Sequence, residues 1–271
     1  MSRTIFFVSD GTGITSETIG KSLLTQFEGI DFRLVRVPFI DNSEKAIAAR
    51  ERVNRAAERD RERPIVINTL VNPHLSEIMS DCNGLVLDVF HTFVKQIEAE
   101  LGVRRSPRVG ISHGMSNLQS YEQRMGATNY ALKHDDGADV NYQEADVILV
   151  GVSRSGKTPT CLYLALHYGI KAGNYPLTPD DLDALKLPKM LTPYKRKLFG
   201  LTIEPERLRQ IREIRRPNSR YADARQVQRE VEEAESLFRI HGLPSLNTTY
   251  ASVEEIASKV LVSLGLERSM L

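Results

Sequence analysis

Short apolar runs alternate with helical patterns along the first hundred residues of the chain. The β-branched and aromatic runs predict strands at residues 4–8, 32–39, 65–69 and 85–89. Between the second and third strands, apolar residues recur at spacings of three and four, which predicts a helix with one buried face: Ala46, Ala49, Val53 and Ala56. Strands that alternate with helices indicate a parallel sheet, because a tight turn cannot join parallel neighbours.

The second half shows a similar alternation, after a glycine- and proline-containing segment that has no sustained period. We therefore expect an α/β architecture with an N-terminal doubly wound parallel-sheet domain over residues 1–102, a connecting segment over 103–117, and a second α/β domain over 118–271. The second domain should contain a helix at 118–133 and strands at 146–150 and 198–203. Thr178 and Ser252 begin patterns typical of helix N-termini. Two helical stripes are expected to face its core: Ala224, Val227, Val231, Ala234 and Phe238, and Val253, Ile256, Ala257, Val260, Leu261 and Leu264.

Composition excludes several classes of protein. A length of 271 residues suits one large or two modest domains, each with its own core. The net charge of +1 gives no chain-wide attraction to nucleic acid or to anionic membranes, so we expect neither as a partner. The two cysteines, Cys82 and Cys161, cannot form a disulfide framework or a CxxC site, which indicates a reducing cytoplasm. No apolar run approaches the roughly 18 residues of a membrane-spanning helix.

One motif carries most of the chemistry. The strand at 146–150 leads into Gly151-Val152-Ser153-Arg154-Ser155-Gly156-Lys157-Thr158, which matches G-x-x-x-x-G-K-[ST] at every fixed position. The glycines let backbone N–H groups point at phosphate oxygens, beside the positive end of the dipole of the following helix. Lys157 is expected to neutralise the terminal phosphates, and Thr158 Oγ to bind Mg²⁺. The alternative is a glycine-bearing turn from strand to helix that binds nothing.

The type of reaction has to come from other residues. The chain lacks the N-K-x-D of common GTPases, and the strand at 198–203 is followed by Glu204 where an Asp ligand for Mg²⁺ would be usual. A turn with two carboxylates and an imidazole, His134-Asp135-Asp136-Gly137, lies just upstream of the loop. It can supply both a metal contact and the base that a kinase needs for a hydroxyl proton. We therefore predict His134, Asp135, Asp136 and Lys157 as catalytic residues, against the alternative of a solvated helix end.

Two further segments have a weaker signal. Ser9-Asp10-Gly11-Thr12-Gly13 begins like a dinucleotide fingerprint, but Ser16 holds the third glycine position, which favours a tight turn with Asp10 near a helix N-cap. Eight arginines lie between positions 207 and 229. Arg215, Arg216 and Arg220, beside the break at Pro217, are candidates for contact with phosphate or an acidic partner. The alternative is the solvated face of two helices.

These motifs together resemble the bacterial phosphoenolpyruvate synthase regulatory protein family. The resemblance rests on Ser9–Thr15, the His134–Gly137 turn, the loop with its Thr-Pro-Thr extension, and Asn218-Ser219-Arg220-Tyr221, and it covers nearly the whole chain. The signature GVSR-x-x-KTP is more specific than a generic phosphate loop, because Arg154 and Pro159 are not part of the general motif. A related branch regulates pyruvate, phosphate dikinase, and Gly156 favours the synthase branch.

The resemblance implies a bifunctional phosphotransferase. Its kinase activity uses ADP to phosphorylate a threonine of phosphoenolpyruvate synthase and inactivate it. Its phosphorylase activity uses inorganic phosphate to remove that group, with release of pyrophosphate. The resemblance makes Gly151 to Thr158 the ADP-binding loop, with Lys157 on the reacting phosphate and Thr158 on Mg²⁺. It supports Asp135 or Asp136 as base or metal ligand without deciding which, and Arg154 is a candidate for limiting the loop to ADP.

Three other functions are compatible with these residues. The protein could regulate pyruvate, phosphate dikinase by the same chemistry, or act as a P-loop kinase on a small metabolite. It could also be a nucleotide-sensing binding module without turnover, docked to a partner through the arginine segment. The sequence also leaves a homodimer open.

Overall fold

The protein is described by a computed structural model that covers residues 2–105, 118–135, 141–217 and 219–266. The chain divides into two compact units, Met1–Gly114 and Met115–Leu271. The bounds of the connecting segment, 103–117, stay a prediction, because residues 106–117 lie outside the described part of the chain.

The first unit is a four-stranded parallel sheet in the order β2-β1-β3-β4. Its strands are β1 Ser2–Ser9, β2 Asp31–Val37, β3 Ile65–Thr69 and β4 Leu85–Asp88. Its helices are α1 Ile14–Leu24, α2 Ser43–Asp60, α3 Pro73–Ser80 and α4 Val89–Leu101. Alternate residues of β1 enter different hydrophobic clusters, with Phe6 and Val8 in one and Ile5 and Phe7 in the other. Both faces of the sheet are therefore covered, as in doubly wound folds.

The second unit contains another four-stranded parallel sheet, in the order β6-β5-β7-β8. Its strands are β5 Val147–Gly151, β6 Ala172–Pro176, β7 Leu198–Thr202 and β8 Ser245–Asn247. Its helices are α5 Leu118–Lys133, α6 Lys157–Tyr168, α7 Pro179–Ala184, α8 Pro205–Arg215, α9 Ala224–His241 and α10 Val253–Leu264. Short 3-10 helices lie at Tyr142–Glu144, Thr192–Lys197 and Arg220–Ala222.

The strand order places a topological switch point at the end of β5. Because β6 pairs with one edge of β5 and β7 pairs with the other, the chain changes direction across the sheet at this strand. In doubly wound sheets such a switch point, at the carboxyl ends of the strands, is where ligands bind. All five residues of β5 are buried, so the core fixes the position from which the following loop starts.

The apolar patterns identified most of the buried faces correctly. The four predicted positions of α2 are all buried. In the later stripes, Ala224 is exposed and Val253 and Leu264 are half-buried, whereas the other eight predicted positions are buried. The observed ends of several strands differ from the predicted ends by one or two residues. β2 stops at Val37 because Pro38 follows, and β4 stops at Asp88 because Asp88 Oδ1 caps α4 by accepting a hydrogen bond from His91 N at 2.7 Å.

The two helix starts inferred from capping patterns are present. Thr178 and Asp181 form a reciprocal capping box at the start of α7. Ser252 caps α10, where its hydroxyl accepts from Glu255 N at 3.2 Å. The carboxylate of Glu255 pairs with Lys259 at 2.9 Å.

Candidate functional site

The glycine-rich loop joins the buried end of β5 to the first turn of α6, as the motif predicts. Gly156 is the N-cap of α6 with φ +91°, a conformation that favours glycine. Pro159 lies in the first turn of the helix, where an N–H has no partner within the helix. The loop therefore has the strand–turn–helix context that phosphate binding requires.

Gly151 is required by close packing rather than by its backbone angles. A Cβ atom built on Gly151 would collide with the carbonyl oxygen of Leu201 in the neighbouring strand β7. That carbonyl belongs to the backbone of a paired strand and cannot rotate away. Glycine at this position therefore lets the loop begin directly against the sheet.

Lys157 is buried, with 5% of its surface exposed, and its ammonium lies inside the loop. Lys157 Nζ donates to Gly151 O at 2.9 Å and to Val152 O at 2.8 Å. A buried ammonium is stable only among acceptors that compensate for lost hydration. The loop thus holds a positive charge next to its own backbone N–H groups, and a phosphate group is the anion that such an arrangement suits.

The structure brings Asp135 to Thr158 at the end of the glycine-rich loop, 23 positions away along the chain. Thr158 Oγ1 donates to Asp135 Oδ1 at 2.8 Å. Asn174, on β6, donates through Nδ2 to the same carboxylate oxygen and to Thr158 Oγ1, the latter at 3.1 Å. The three side chains form one hydrogen-bonded cluster at the start of α6.

Asn174 was not predicted as a site residue. It is 3% exposed, and its Oδ1 is buried with no hydrogen-bond partner. Its only sequence signal is a polar residue in the buried strand 172–176, and that signal does not say which loop the side chain meets. The position follows from β6 pairing beside β5, where Leu149 is aligned with Asn174.

His134 directly follows α5 and contacts the last turn of that helix. Its ring stacks on Tyr130 with 3.9 Å between centroids, and its Nδ1 lies 2.7 Å from Tyr130 O. Its carbonyl oxygen accepts from Asn174 N at 3.4 Å. These contacts fix the backbone just before Asp135, and they leave the catalytic role of His134 a prediction. Asp136, the other predicted carboxylate, lies outside the described residues.

The middle of the loop is hydrogen-bonded to Thr248, the residue that follows β8. Ser155 is 1% exposed, and its carbonyl accepts from Thr248 Oγ1 at 3.1 Å. Its own Oγ is buried without a hydrogen-bond partner. Val152 packs into the core, whereas the Arg154 side chain is exposed and its backbone has φ +78°. A left-handed residue that is not glycine is uncommon.

For Arg215, Arg216 and Arg220 of the arginine segment, contact with phosphate or an acidic partner stays a prediction. Arg215, Arg216 and Arg220 are all exposed. The arginine that reaches the loop is Arg212, which is 1% exposed and donates to Ser153 O at 3.1 Å. Arg212 was not singled out because eight arginines in one segment look alike until the packing of α8 is known.

Cys161 lies one helical turn after Thr158. Complete burial raises the pKa of its thiol, with a small opposing effect of the Lys157 charge. A thiol with a raised pKa stays protonated near neutral pH, so Cys161 is a packing residue and not a nucleophile.

The glycine turn of the first unit is a tight strand-to-helix turn, as expected, but Asp10 does not cap α1. The N-cap is Gly13, with φ +81° and no side-chain cap. Asp10 Oδ2 instead accepts from Val71 N at 2.7 Å and joins the turns that follow β1 and β3.

The described residues contain no group of three or more His, Cys, Asp or Glu side chains suited to hold a metal ion. None of their helices is long and apolar enough to cross a membrane.

Comparison with known proteins gives a consistent result over almost the full length. The family profile described as "Kinase/pyrophosphorylase" matches residues 5–261. Proteins from Xylella fastidiosa and Xanthomonas oryzae are each 57% identical over 268 residues, which is 99% of this chain and 98% of theirs. A Stenotrophomonas maltophilia protein is 56% identical over the same span, and all three are named "Putative phosphoenolpyruvate synthase regulatory protein". The chain therefore belongs to the kinase/pyrophosphorylase family.

Proposed function

We propose that this protein regulates phosphoenolpyruvate synthase by reversible phosphorylation of a threonine. In one direction the β-phosphoryl group of ADP is transferred to the threonine hydroxyl, AMP leaves, and the synthase is inactivated. In the other direction inorganic phosphate takes the phosphoryl group from the threonine and leaves as pyrophosphate, which restores activity. Family membership and the names of the relatives support this proposal.

The observation that carries the proposal is the hydrogen bond between Thr158 and Asp135. It brings a carboxylate to the end of the loop that has Lys157 as its buried cation. A protein kinase has to accept the hydroxyl proton while positive groups neutralise charge on the transferred phosphoryl group. Asp135 and Lys157 supply these two functions beside the first turn of α6.

The residues around Thr158 suit Mg²⁺, a cation that prefers oxygen ligands. Thr158 Oγ1, Asp135 Oδ1 and the unpartnered Asn174 Oδ1 are the oxygens that would hold it, directly or through water. Bound there, Mg²⁺ would neutralise phosphate charge. Asn174 keeps Asp135 and Thr158 together through its two N–H donors.

One anion site can serve both directions. Each reaction moves a phosphoryl group between a threonine oxygen and a phosphate in the loop, so positioning and charge neutralisation dominate both. The first-turn N–H groups of α6, Gly156 and Lys157 provide that environment for ADP and for inorganic phosphate. We place the reaction in the cytoplasm, where free cysteines such as the buried Cys82 and Cys161 remain reduced.

The decisive experiment mixes the purified protein with ADP, Mg²⁺ and purified phosphoenolpyruvate synthase. Phosphothreonine on the synthase, loss of synthase activity, and pyrophosphate release on addition of inorganic phosphate are the expected results. A parallel reaction with pyruvate, phosphate dikinase tests the related target. Transfer only to a small acceptor would identify a metabolite kinase, and ADP binding without transfer would identify a binding module. Either of those outcomes contradicts the proposal.

A further inference from the structure

Arg212 is a buried cation whose presence the core does not explain. It lies in α8, is 1% exposed, and forms an ion pair of 2.8 Å with Glu230 of α9. Its Nε is buried without a hydrogen-bond partner. Burial of an ion pair costs desolvation, and well-packed apolar residues are often as stabilising. A charge kept in this position therefore calls for a role besides stability.

Arg212 and its neighbour Tyr221 both contact one residue of the glycine-rich loop, Ser153. Arg212 Nη2 donates to Ser153 O at 3.1 Å, and Nη1 donates to Tyr221 O at 3.1 Å. The guanidinium lies over the Tyr221 ring, 4.3 Å from its centroid, and the Tyr221 hydroxyl is 2.8 Å from Ser153 Oγ. Ser153 is thus held through its carbonyl by Arg212 and through its side chain by Tyr221.

The hydrogen bond from Arg212 to Ser153 O also sets the direction of the N–H group of the next residue, Arg154. A trans peptide is planar, so the C=O of Ser153 and the N–H of Arg154 point in opposite directions. When Arg212 holds the carbonyl, it also fixes where the Arg154 N–H points. Arg154 has φ +78°, and a left-handed residue within a turn is how successive N–H groups form an anion-binding concavity.

We infer that Arg212 is a positioning residue that orients the Ser153–Arg154 peptide for binding of the nucleotide phosphate, with Tyr221 as its partner. This inference rests on the proposed function, because it assumes that the loop binds ADP. Arg212 acts through the loop backbone and has no contact with the phosphate in this role. Glu230 balances its charge so that the guanidinium can be buried beside the loop.

The test separates the effect on ADP from the effect on stability. The double variant Arg212→Met with Glu230→Leu removes both charges and leaves an apolar pair of similar size. We expect its thermal unfolding temperature to stay near that of the wild type, while the Kd for ADP with Mg²⁺, measured by calorimetry, rises about 10- to 100-fold. That range corresponds to the loss of one hydrogen bond to a charged group.

Two single variants keep the test informative if the double variant does not fold. Arg212→Lys retains the charge for Glu230 but cannot bridge Ser153 and Tyr221 with a planar fork, so ADP binding should weaken in the same range. Tyr221→Phe removes only the hydroxyl at Ser153 Oγ, and a smaller loss of about 2- to 10-fold is expected. Arg209→Lys, a half-buried arginine of α8 paired with Glu206, is the matched control and should bind ADP as the wild type does.

Each outcome decides one claim. ADP affinity equal to the wild type in a folded double variant, or in both single variants, would overturn the positioning role and leave the proposed function intact. Failure of the wild-type protein itself to bind ADP would overturn both.

Discussion

Asp135 is a carboxylate that the fold brings to the glycine-rich loop. A substitution can remove its charge and keep its hydrogen bonds. In Asp135→Asn the amide oxygen can still accept from Thr158 Oγ1 and from Asn174 Nδ2. The negative charge and the basicity are lost. We expect phosphoryl transfer to the synthase to slow by about 10²- to 10⁴-fold, the usual contribution of a general base, with little change in unfolding temperature.

The control for this variant is Asp10→Asn in the first unit, where the carboxylate accepts from the backbone N–H of Val71. This variant should transfer phosphate at the wild-type rate. Transfer by Asp135→Asn at the wild-type rate would leave Asp136 or a bound water as the base and would contradict the assignment to Asp135.

Gly156 allows a second test at the scale of single residues, with Gly242 as a control in which the backbone is also left-handed. Gly156 has φ +91° and Gly242 has φ +60°, and a Cβ on either would meet nothing within 4 Å. Alanine at Gly242 should lower the free energy of unfolding by about 1–2 kcal/mol, and alanine at Gly156 by at least as much, because φ +91° lies beyond the left-handed region that alanine can adopt. Urea denaturation measures this cost.

Only one of these alanine variants should change the affinity for ADP. Gly156→Ala disturbs the turn that, in the proposed function, aims N–H groups at phosphate, so its Kd for ADP should rise. Gly242 ends α9, and Gly242→Ala should bind ADP normally. Equal ADP affinity in both variants would separate Gly156 from the binding site.

At the scale of helices, the capping box of α7 gives a prediction for stability alone. Thr178 Oγ1 accepts from Asp181 N, and Asp181 Oδ2 accepts from Thr178 N at 3.0 Å. Thr178→Ala should lower the free energy of unfolding by about 1 kcal/mol, the usual value for an N-cap. Thr178→Ser keeps the hydroxyl and should recover most of the loss in urea denaturation. If serine is as destabilising as alanine, packing of the methyl group and not the cap is responsible.

The features predicted correctly from the sequence are local ones. The helix at 118–133, the strand at 65–69 and the glycine loop each depend on the order of nearby residues. Asn174 and Arg212 reach the loop from 16 and 59 positions away and have no spacing signal. Their roles depend on which strand lies beside β5 and on how α8 packs. The glycine-rich loop and the turn that contains Asp135 were therefore identifiable from local motifs, whereas the contacts of Asn174 and Arg212 with the loop were not.

At the scale of the molecule, the sheets of the two units have the same strand order. In each unit the second strand along the sheet leads through a glycine turn to a helix, and Gly13 and Gly156 cap those helices with similar positive φ. The next residue is Ile14 in the first unit and Lys157 in the second. Because only the second turn combines the helix dipole with a buried cation, hydrogen exchange should show ADP protecting amides of α6 and not those of α1.

The buried tyrosines of the second unit lead us to expect a loss of stability at alkaline pH. Burial raises the pKa of Tyr130 to about 12, and burial together with its hydrogen bond to Asp181 raises the pKa of Tyr175 to about 12. Burial also raises the pKa of Tyr142. A tyrosine whose folded pKa lies above its unfolded value of about 10 holds its proton more tightly when folded. Its contribution is complete below pH 10 and disappears as the pH rises from about 10 to 12.

The free energy of unfolding should therefore fall above pH 10, by about 1.4 kcal/mol per pH unit for each tyrosine that stays protonated in the folded state. Urea denaturation between pH 8 and pH 11 measures the slope, and ultraviolet absorbance of tyrosinate follows ionisation directly. Tyr175→Phe removes one titrating group, so the decrease in unfolding free energy above pH 10 should become shallower by about 1.4 kcal/mol per pH unit. Tyr250→Phe is the matched control, since its ring is 89% exposed in the folded protein. An unchanged slope in Tyr175→Phe would mean that other groups cause the alkaline unfolding.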